Sequence, residues 1–311
     1  MGHVIEVASL RKSYGRVRAV EDVSFSVHQG EIFGLIGPNG AGKTTTLECV
    51  EGLRAADAGE IRVLGLHPQR DSTSLQHRIG VQLQEAHLQK RITVGEAVHL
   101  WAHLYFPSQS ERRARVDIDR LLQQLGLHEK RHAWFMTLSG GQKQRLFIAL
   151  ALIHDPEIVF LDELTTGLDP QARRAIWDLV RGIRERGKTV VLTTHLMEEA
   201  ERLCDRVAIV DHGRVVDVGT PAALIDRHCP SRTIAIATED TRLPEALASC
   251  PSVREVTRAG RHWHVTGDGD ALIDEVVASL ASHAIHVTAL QSQSATLEDV
   301  FLRTTGHSIR S

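Results

Sequence analysis

Short unbroken apolar runs alternate along this chain with stretches whose apolar positions recur every three or four residues. Ile32–Ile36, Glu157–Leu161 and Thr189–Thr193 are runs of the first kind and predict buried strands. Val4–Leu10 alternates apolar and polar residues, which predicts a half-buried strand, and Val20–Val27, Gly59–Leu64 and Arg78–Gln84 are further strands. Lys43–Val50, Pro170–Arg186 and Leu196–Leu203 predict helices, the second closed by Gly187. Arg206–Val210 and Arg214–Val218 form a hairpin turning at His212-Gly213. Strands alternating with helices imply a mostly parallel sheet with covered faces, an α/β fold.

Two stretches break this rhythm. Between the strand ending near Gln84 and the strand at Glu157, the pattern is helical: Thr93–Tyr105, Arg112–Leu125 and Ser139–His154, with Thr93 and Glu96 spaced as a capping box. This predicts a helical insert over about 85–155. After His228, with Pro230 marking the change, strands at Thr233–Ala237, Val253–Arg258, His262–Thr266 and Ile285–Gln291 interleave with helices at Leu243–Ser249 and Asp270–Ser282. That β-α-β-β-α-β order predicts a small ferredoxin-like domain over 229–311, following a larger one over 1–228. A final helix, Thr296–Arg303, ends the chain.

Composition narrows the function classes. The chain has 311 residues, 42% of them hydrophobic and 24% charged, with a net charge of -3. That is ordinary globular material for two domains, and the charge argues against a dedicated nucleic-acid binder. Cys49, Cys204, Cys229 and Cys250 are scattered without a C-x-x-C pair and predict free thiols. No apolar run approaches the ~20 residues that span a bilayer, and Met1–Glu6 has no signal-peptide pattern. The expectation is a soluble intracellular chain that would need another polypeptide for any step across a membrane. The 18 histidines show no metal-ligand spacing, and His262-Trp263-His264 reads as a solvated strand face. Glu198-Glu199-Ala200-Glu201-Arg202 reads as a solvated helix face.

Chemistry enters at Gly37–Thr45, which reads Gly37-Pro38-Asn39-Gly40-Ala41-Gly42-Lys43-Thr44-Thr45. It fits G-x-x-x-x-G-K-[ST] between a strand and a helix, the context that separates a phosphate loop from a chance glycine-rich turn. Glycines let backbone N–H groups close around phosphate oxygens, and the helix dipole adds to the attraction. Lys43 then reaches the terminal phosphates and the Thr44 hydroxyl ligates magnesium. Asp162 and Glu163 end an apolar strand. Alone they would be a polar strand end; with a phosphate loop upstream, Asp162 suits a magnesium ligand and Glu163 an orienter of attacking water. Ser139-Gly140-Gly141 opens a helix with a good N-cap and exposed N–H groups. It is either a plain cap or a second anion site.

Leu138-Ser139-Gly140-Gly141-Gln142-Lys143-Gln144-Arg145, lying between a phosphate loop and an acidic strand end, resembles the signature motif of the ATP-binding-cassette (ABC) ATPases. Further positions, from about residue 4 to 220, are similar to that family's motifs in its order. Gln84 resembles the Q-loop glutamine, Gly167-Leu168-Asp169 the D-loop, His195 the switch histidine and Tyr14 the adenine-stacking aromatic. The resemblance implies two cassettes pairing head to tail, with each ATP held between the phosphate loop of one and Ser139, Gly140, Gly141 and Gln142 of the other. It implies that His195 reaches the γ-phosphate, that Gln84 touches magnesium or water and relays the nucleotide state to the helical insert, and that Asp169 acts across the dimer. It implies ATP and Mg2+ as cofactors, a homodimer, and an integral membrane permease on a separate chain. The subunit would then lie peripherally at the inner face of the cell membrane, with no nucleic acid bound. Thr296-Leu297-Glu298-Asp299-Val300-Phe301-Leu302 resembles the ends of bacterial drug-resistance exporter ATPases, which points to export. A soluble ABC ATPase acting on ribosomes or nucleic acid is the alternative. It is disfavoured by a single cassette and by too little chain between 46 and 137 for a long coiled coil. A non-hydrolytic ATP-gated regulator is disfavoured by the presence of Glu163 and His195. Leu164 stands where the family usually has proline.

Overall fold

The computed structural model describes residues 2–82, 88–106, 108, 117–269, 271–293 and 295–307. The chain divides into two compact units, the first running to Pro221 and the second beginning at Ala222.

The first unit opens with β1 (His3–Tyr14), β2 (Val17–His28), β3 (Ile32–Ile36), α1 (Lys43–Val50), β4 (Ala58–Val63), a short α2 (Ser72–Gln76) and β5 (Ile79–Gln82). Among the described residues, the helices α3 (Val94–Tyr105), α4 (Ile118–Gln124) and α5 (Gly140–Leu152) follow. The unit closes with β6 (Ile158–Asp162), α6 (Pro170–Glu185), β7 (Thr189–Thr194), α7 (Met197–Leu203), β8 (Arg206–Asp211) and β9 (Arg214–Gly219). These strands form one sheet in the order β4-β1-β2-β9-β8-β3-β7-β6-β5.

The sheet has two characters. β8, β3, β7, β6 and β5 run parallel, and every residue of β3, β6 and β7 is buried. Strands covered on both faces can afford no polar alternation, which is why they read as unbroken apolar runs. β4, β1 and β2 form an antiparallel arm in which β2 buries Val20, Val23, Phe25 and Val27 and leaves its other positions partly or fully exposed. Ser72–Gln76 is a helix that no sequence pattern announced; it buries only Leu75. Of the helix expected over Arg112–Leu125, the described part is Ile118–Gln124, opened by Asp117, whose side chain accepts from Arg120 N.

The register places the site. Asp162 is paired with Thr193 across β6 and β7, and Ile36 with Thr194 across β3 and β7. The carboxyl ends of three adjacent parallel strands therefore stop at one level, where open α/β sheets hold their ligands. The helical insert is fitted tightly to this sheet. A Cβ on Gly80 of β5 would come within 2.1 Å of the Ala151 carbonyl oxygen in α5, so only glycine allows that approach. Thr93 and Glu96 form the capping box their spacing predicts at the start of α3.

The second unit comprises most of α8 (Pro221–His228), then β10 (Ser231–Ala237), α9 (Leu243–Leu247), β11 (Val253–Ala259), β12 (His262–Asp268), α10 (Leu272–Ser282), β13 (Ala289–Gln293) and α11 (Leu297–Thr305). Its antiparallel sheet has the order β11-β12-β10-β13. Ile234, Ile236, Trp263 and Val265 from one sheet face pack with Leu243, Leu247, Leu272, Val276 and Leu280 from α9 and α10. The last strand begins at Ala289, later than its expected start at Ile285.

Candidate active site

The phosphate loop joins β3 to α1. Gly42, the residue before α1, takes the left-handed conformation (φ 97°), and a Cβ there would lie 2.3 Å from the Ala19 carbonyl oxygen. A side chain is excluded on both counts. Lys43, only 4% exposed, donates from Nζ to the Gly37 and Pro38 carbonyl oxygens at 2.9 Å each. Burial holds its ammonium below the usual lysine range, against the pull of Glu163 and Asp162.

Asp162 sits at the end of β6 and accepts from two hydroxyls, Thr193 Oγ1 and, at 3.4 Å, Thr44 Oγ1. Burial raises its pKa, while these two donors lower it. A buried carboxylate oxygen beside a threonine hydroxyl is a hard-oxygen donor set of the kind magnesium takes. The residues present fit that ion.

Glu163 adopts a positive φ of 47°, unusual for a residue with a side chain. Its N–H donates to the Thr193 carbonyl at 3.2 Å and to Thr193 Oγ1 at 3.1 Å. The Glu163 carboxylate faces His195, whose Nδ1 lies 3.6 Å from Glu163 Oε1. That separation is longer than a hydrogen bond, and Nδ1 is a buried atom without a partner. A buried ring nitrogen left unpaired beside a carboxylate suits a group that receives a ligand.

Tyr14, Ala19, Asn39, Gly40, Gly42, Lys43, Thr44, Thr45 and Glu163 line one cleft of about 340 Å³. Tyr14 is 41% exposed on its rim. The structure thus gathers most sequence-predicted residues around one space: the phosphate loop, Tyr14 and Glu163 on the wall, with Asp162 and His195 beside it. It keeps others apart. Ser139 N-caps α5 within a capping box, accepting from Gln142 N at 3.3 Å while Gln142 Oε1 accepts from Ser139 N at 3.0 Å. None of Ser139, Gly140, Gly141 and Gln142 lines the cleft. Gly140 and Gly141 instead approach Leu168 and Ala172, where added Cβ atoms would meet side-chain carbons at 3.3 and 3.2 Å. Asp169 caps α6, accepting from Gln171 N and Ala172 N at 3.0 and 2.9 Å. Gln84 lies outside the described residues.

Two positions escape the sequence reading. Thr193 holds both Asp162 and Glu163; only the β6–β7 register reveals it. The run Glu198–Arg202 is not uniformly solvated, contrary to expectation. Glu199 is 1% exposed and accepts from Thr165 Oγ1 at 2.7 Å and Trp177 Nε1 at 2.9 Å. The charged residues that do face solvent include Glu198 and Arg202, paired at 3.0 Å. Helical spacing inside a charged run can turn one member inward, and the buried donors Thr165 and Trp177 are what make that tolerable. Glu51, at the end of α1, is a further buried carboxyl. Burial, then Asp162 and Glu48, push it up to about 8.

A phosphate loop and an acidic strand end at the parallel strands of one sheet, together with a capped second helix terminus, define a phosphate-loop nucleotide hydrolase. The sequence profile described as ABC transporter matches residues 20–166. The Nod factor export ATP-binding protein I of Rhizobium sp. (strain N33) is 41% identical over 97% of this chain and 97% of its own length. The linearmycin resistance ATP-binding protein LnrL of Bacillus subtilis (strain 168) is 34% identical over 99% and 100%. Among solved structures, an ATP-binding subunit of an ABC transporter aligns with a TM-score of 0.63 at 30% identity, covering 72% of this chain and 92% of that one. A dimeric ATP-binding cassette in a post-hydrolysis state with ADP and Pi aligns with a TM-score of 0.62 at 28% identity, covering 70% and 98%. The chain belongs to the ABC transporter family, as an ATP-binding, ATP-hydrolysing subunit. Among its described residues no helix is long and apolar enough to cross a membrane.

Proposed function

We propose that this chain drives an exporter whose membrane-spanning permease is a separate polypeptide, and that two copies pair around ATP. One observation carries the reading. The chain has two glycine-containing segments that could offer backbone N–H groups to an anion, the Gly37–Thr45 loop and the Ser139–Gln142 helix start, yet only the first lines the cleft. A head-to-tail pair gives each its use, one on the chain's own ATP and one on its partner's. Export is supported by the printed roles of the relatives, Nod factor export and linearmycin resistance, matched over nearly the whole chain.

In this reading the phosphate loop and Lys43 hold the triphosphate, and Tyr14 stacks on the base. Thr44 and Asp162 would hold magnesium, with Gln84 as a further partner, and the ion supplies positive charge against the phosphate oxygens. Glu163 orients the attacking water and accepts its proton, and His195 donates toward the γ-phosphate from beside it. Ser139, Gly140, Gly141 and Gln142 bind the partner's γ-phosphate, and Asp169 faces the partner. Loss of the γ-phosphate then removes the group that both cassettes grip, so the pair opens. The subunit works in the cytoplasm, peripherally at the inner face of the membrane. The 1–228 region is the cassette, and 229–311 an accessory domain.

The reading is tested by isolating the chain from its native membrane in mild detergent and identifying what comes with it. A multi-spanning protein in stoichiometric amount is the expected result. Recovery of ribosomes or nucleic acid with no membrane protein would overturn it.

A further inference from the structure

Tyr14 lies on the rim of the cleft, and its side chain is partly in solvent. An exposed ring loses rotational freedom when a ligand stacks on it, and that loss subtracts from affinity. Two cations lie against this ring. Lys12 Nζ is 5.6 Å from the ring centroid and the Arg54 guanidinium carbon 5.4 Å. Both are within the range of a cation–π contact. Neither lines the cleft.

Each cation is itself anchored. Lys12 Nζ donates to Asp57 Oδ1 at 2.8 Å, and the other oxygen of Asp57 accepts from Ser13 N, next to Tyr14, at 2.7 Å. Arg54 donates from Nε and Nη2 to the two oxygens of Glu48, the second at 3.3 Å. Glu48 belongs to α1, the helix that begins with Lys43 and Thr44. A line of contacts therefore runs from the phosphate-binding helix through Glu48 and Arg54 to the ring of Tyr14.

We propose that Arg54 and Lys12 are positioning residues for the nucleotide base: they hold the Tyr14 ring at the cleft rim and raise ATP affinity through it. The proposal rests on the reading of Tyr14 as the surface on which the base stacks. Fixing the ring in advance removes part of the ordering cost of binding. Tying it to α1 also fixes the spacing between the base end and the phosphate end of the cleft.

Arg54 could instead act only by drawing in the negative charge of ATP, and the test separates the two causes. Binding of ATP and of inorganic tripolyphosphate to the full chain is measured by titration calorimetry with magnesium present. R54A and K12A are each expected to weaken ATP binding about two- to fivefold, the size of an exposed cation–π contact. Tripolyphosphate, which has no base, is expected to bind both variants as it binds the wild type. R54K is expected to recover part of the loss. The double variant Y14A/R54A is expected to bind ATP no more weakly than Y14A, because Arg54 acts through the ring. Equal losses for ATP and tripolyphosphate would reduce Arg54 to a point charge and overturn the proposal. So would unchanged ATP binding by both R54A and K12A when Y14A is impaired. Unchanged ATP binding by Y14A would overturn the stacking reading itself, and this proposal with it.

Discussion

Lys43 and Glu51 lie at the two ends of α1, and burial acts on them in the same sense, toward neutrality. The outcomes differ because their neighbours differ. Lys43 has two carbonyl oxygens at 2.9 Å and the nearby carboxylates of Glu163 and Asp162 to keep it charged. Removing that charge in Lys43→Ala should weaken ATP binding by ~100-fold or more, the worth of one or two charge-assisted phosphate contacts. Calorimetric titration of the variant checks this, and near-normal affinity would contradict the role given to Lys43. Glu51 has only further acids as charged neighbours, and its pKa rises from 4.5 to about 8. The sign follows directly. Below pH 4.5 both folded and unfolded chains carry the proton, so nothing changes. Between 4.5 and about 8 the unfolded chain releases it while the fold retains it, and stability falls as pH rises, by on the order of 1 kcal/mol per unit. Glu51→Gln should remove this slope. The Tm of the nucleotide-free variant should match wild type near pH 4.5 and exceed it by several degrees near pH 8. A gap that stays constant over that window would refute the assignment.

Helix α5 illustrates how one element serves two ends. Its start carries Ser139 and Gln142 in a capping box, and its far end packs Ala151 against Gly80 of β5. Ser139→Ala removes the N-cap acceptor and should cost about 1 kcal/mol of stability. It should also lower ATP-driven pairing while leaving ATP affinity of the single chain intact, because Ser139 does not line that chain's own cleft. Comparing sedimentation with calorimetry tests this; a loss of monomer ATP affinity would place Ser139 in the wrong site. Such elements differ in how plainly they are written in the chain. β3, β6 and β7 were legible because burial on both faces demands an apolar run. The phosphate loop was legible because its glycines answer to backbone geometry, as Gly42 shows. Helix α8 was not, since it buries only Leu224 and so leaves little apolar stripe. Glu199 was not, because a buried carboxylate is recognised by its donors, and Thr165 and Trp177 are far from it in sequence. Thr193 needed strand register, which no single segment encodes.

At the scale of the molecule, the two units carry different tasks in our reading, and Glu163 is where the larger one is switched. Glu163→Gln keeps the shape of the side chain and removes its basicity. It should retain ATP binding and slow hydrolysis by roughly 10²- to 10⁴-fold, the usual contribution of a general base. With ATP and magnesium the variant should elute as a dimer in size-exclusion chromatography. A persistent monomer with unimpaired turnover would refute both the catalytic role and the pairing.

The three fully buried strands β3, β7 and β6 have a consequence for how a signal leaves the site. Amides in such strands exchange with deuterium only when the whole unit opens, whereas peripheral segments exchange through local fluctuations. Asp162 and Thr193 stand at the ends of two of these strands, and Ile36, the last residue of the third, leads into the phosphate loop. In our reading the nucleotide rests on the ends of strands that open only with the whole unit, and the motion it triggers is expected to begin in the turns that leave them, such as the one at Glu163.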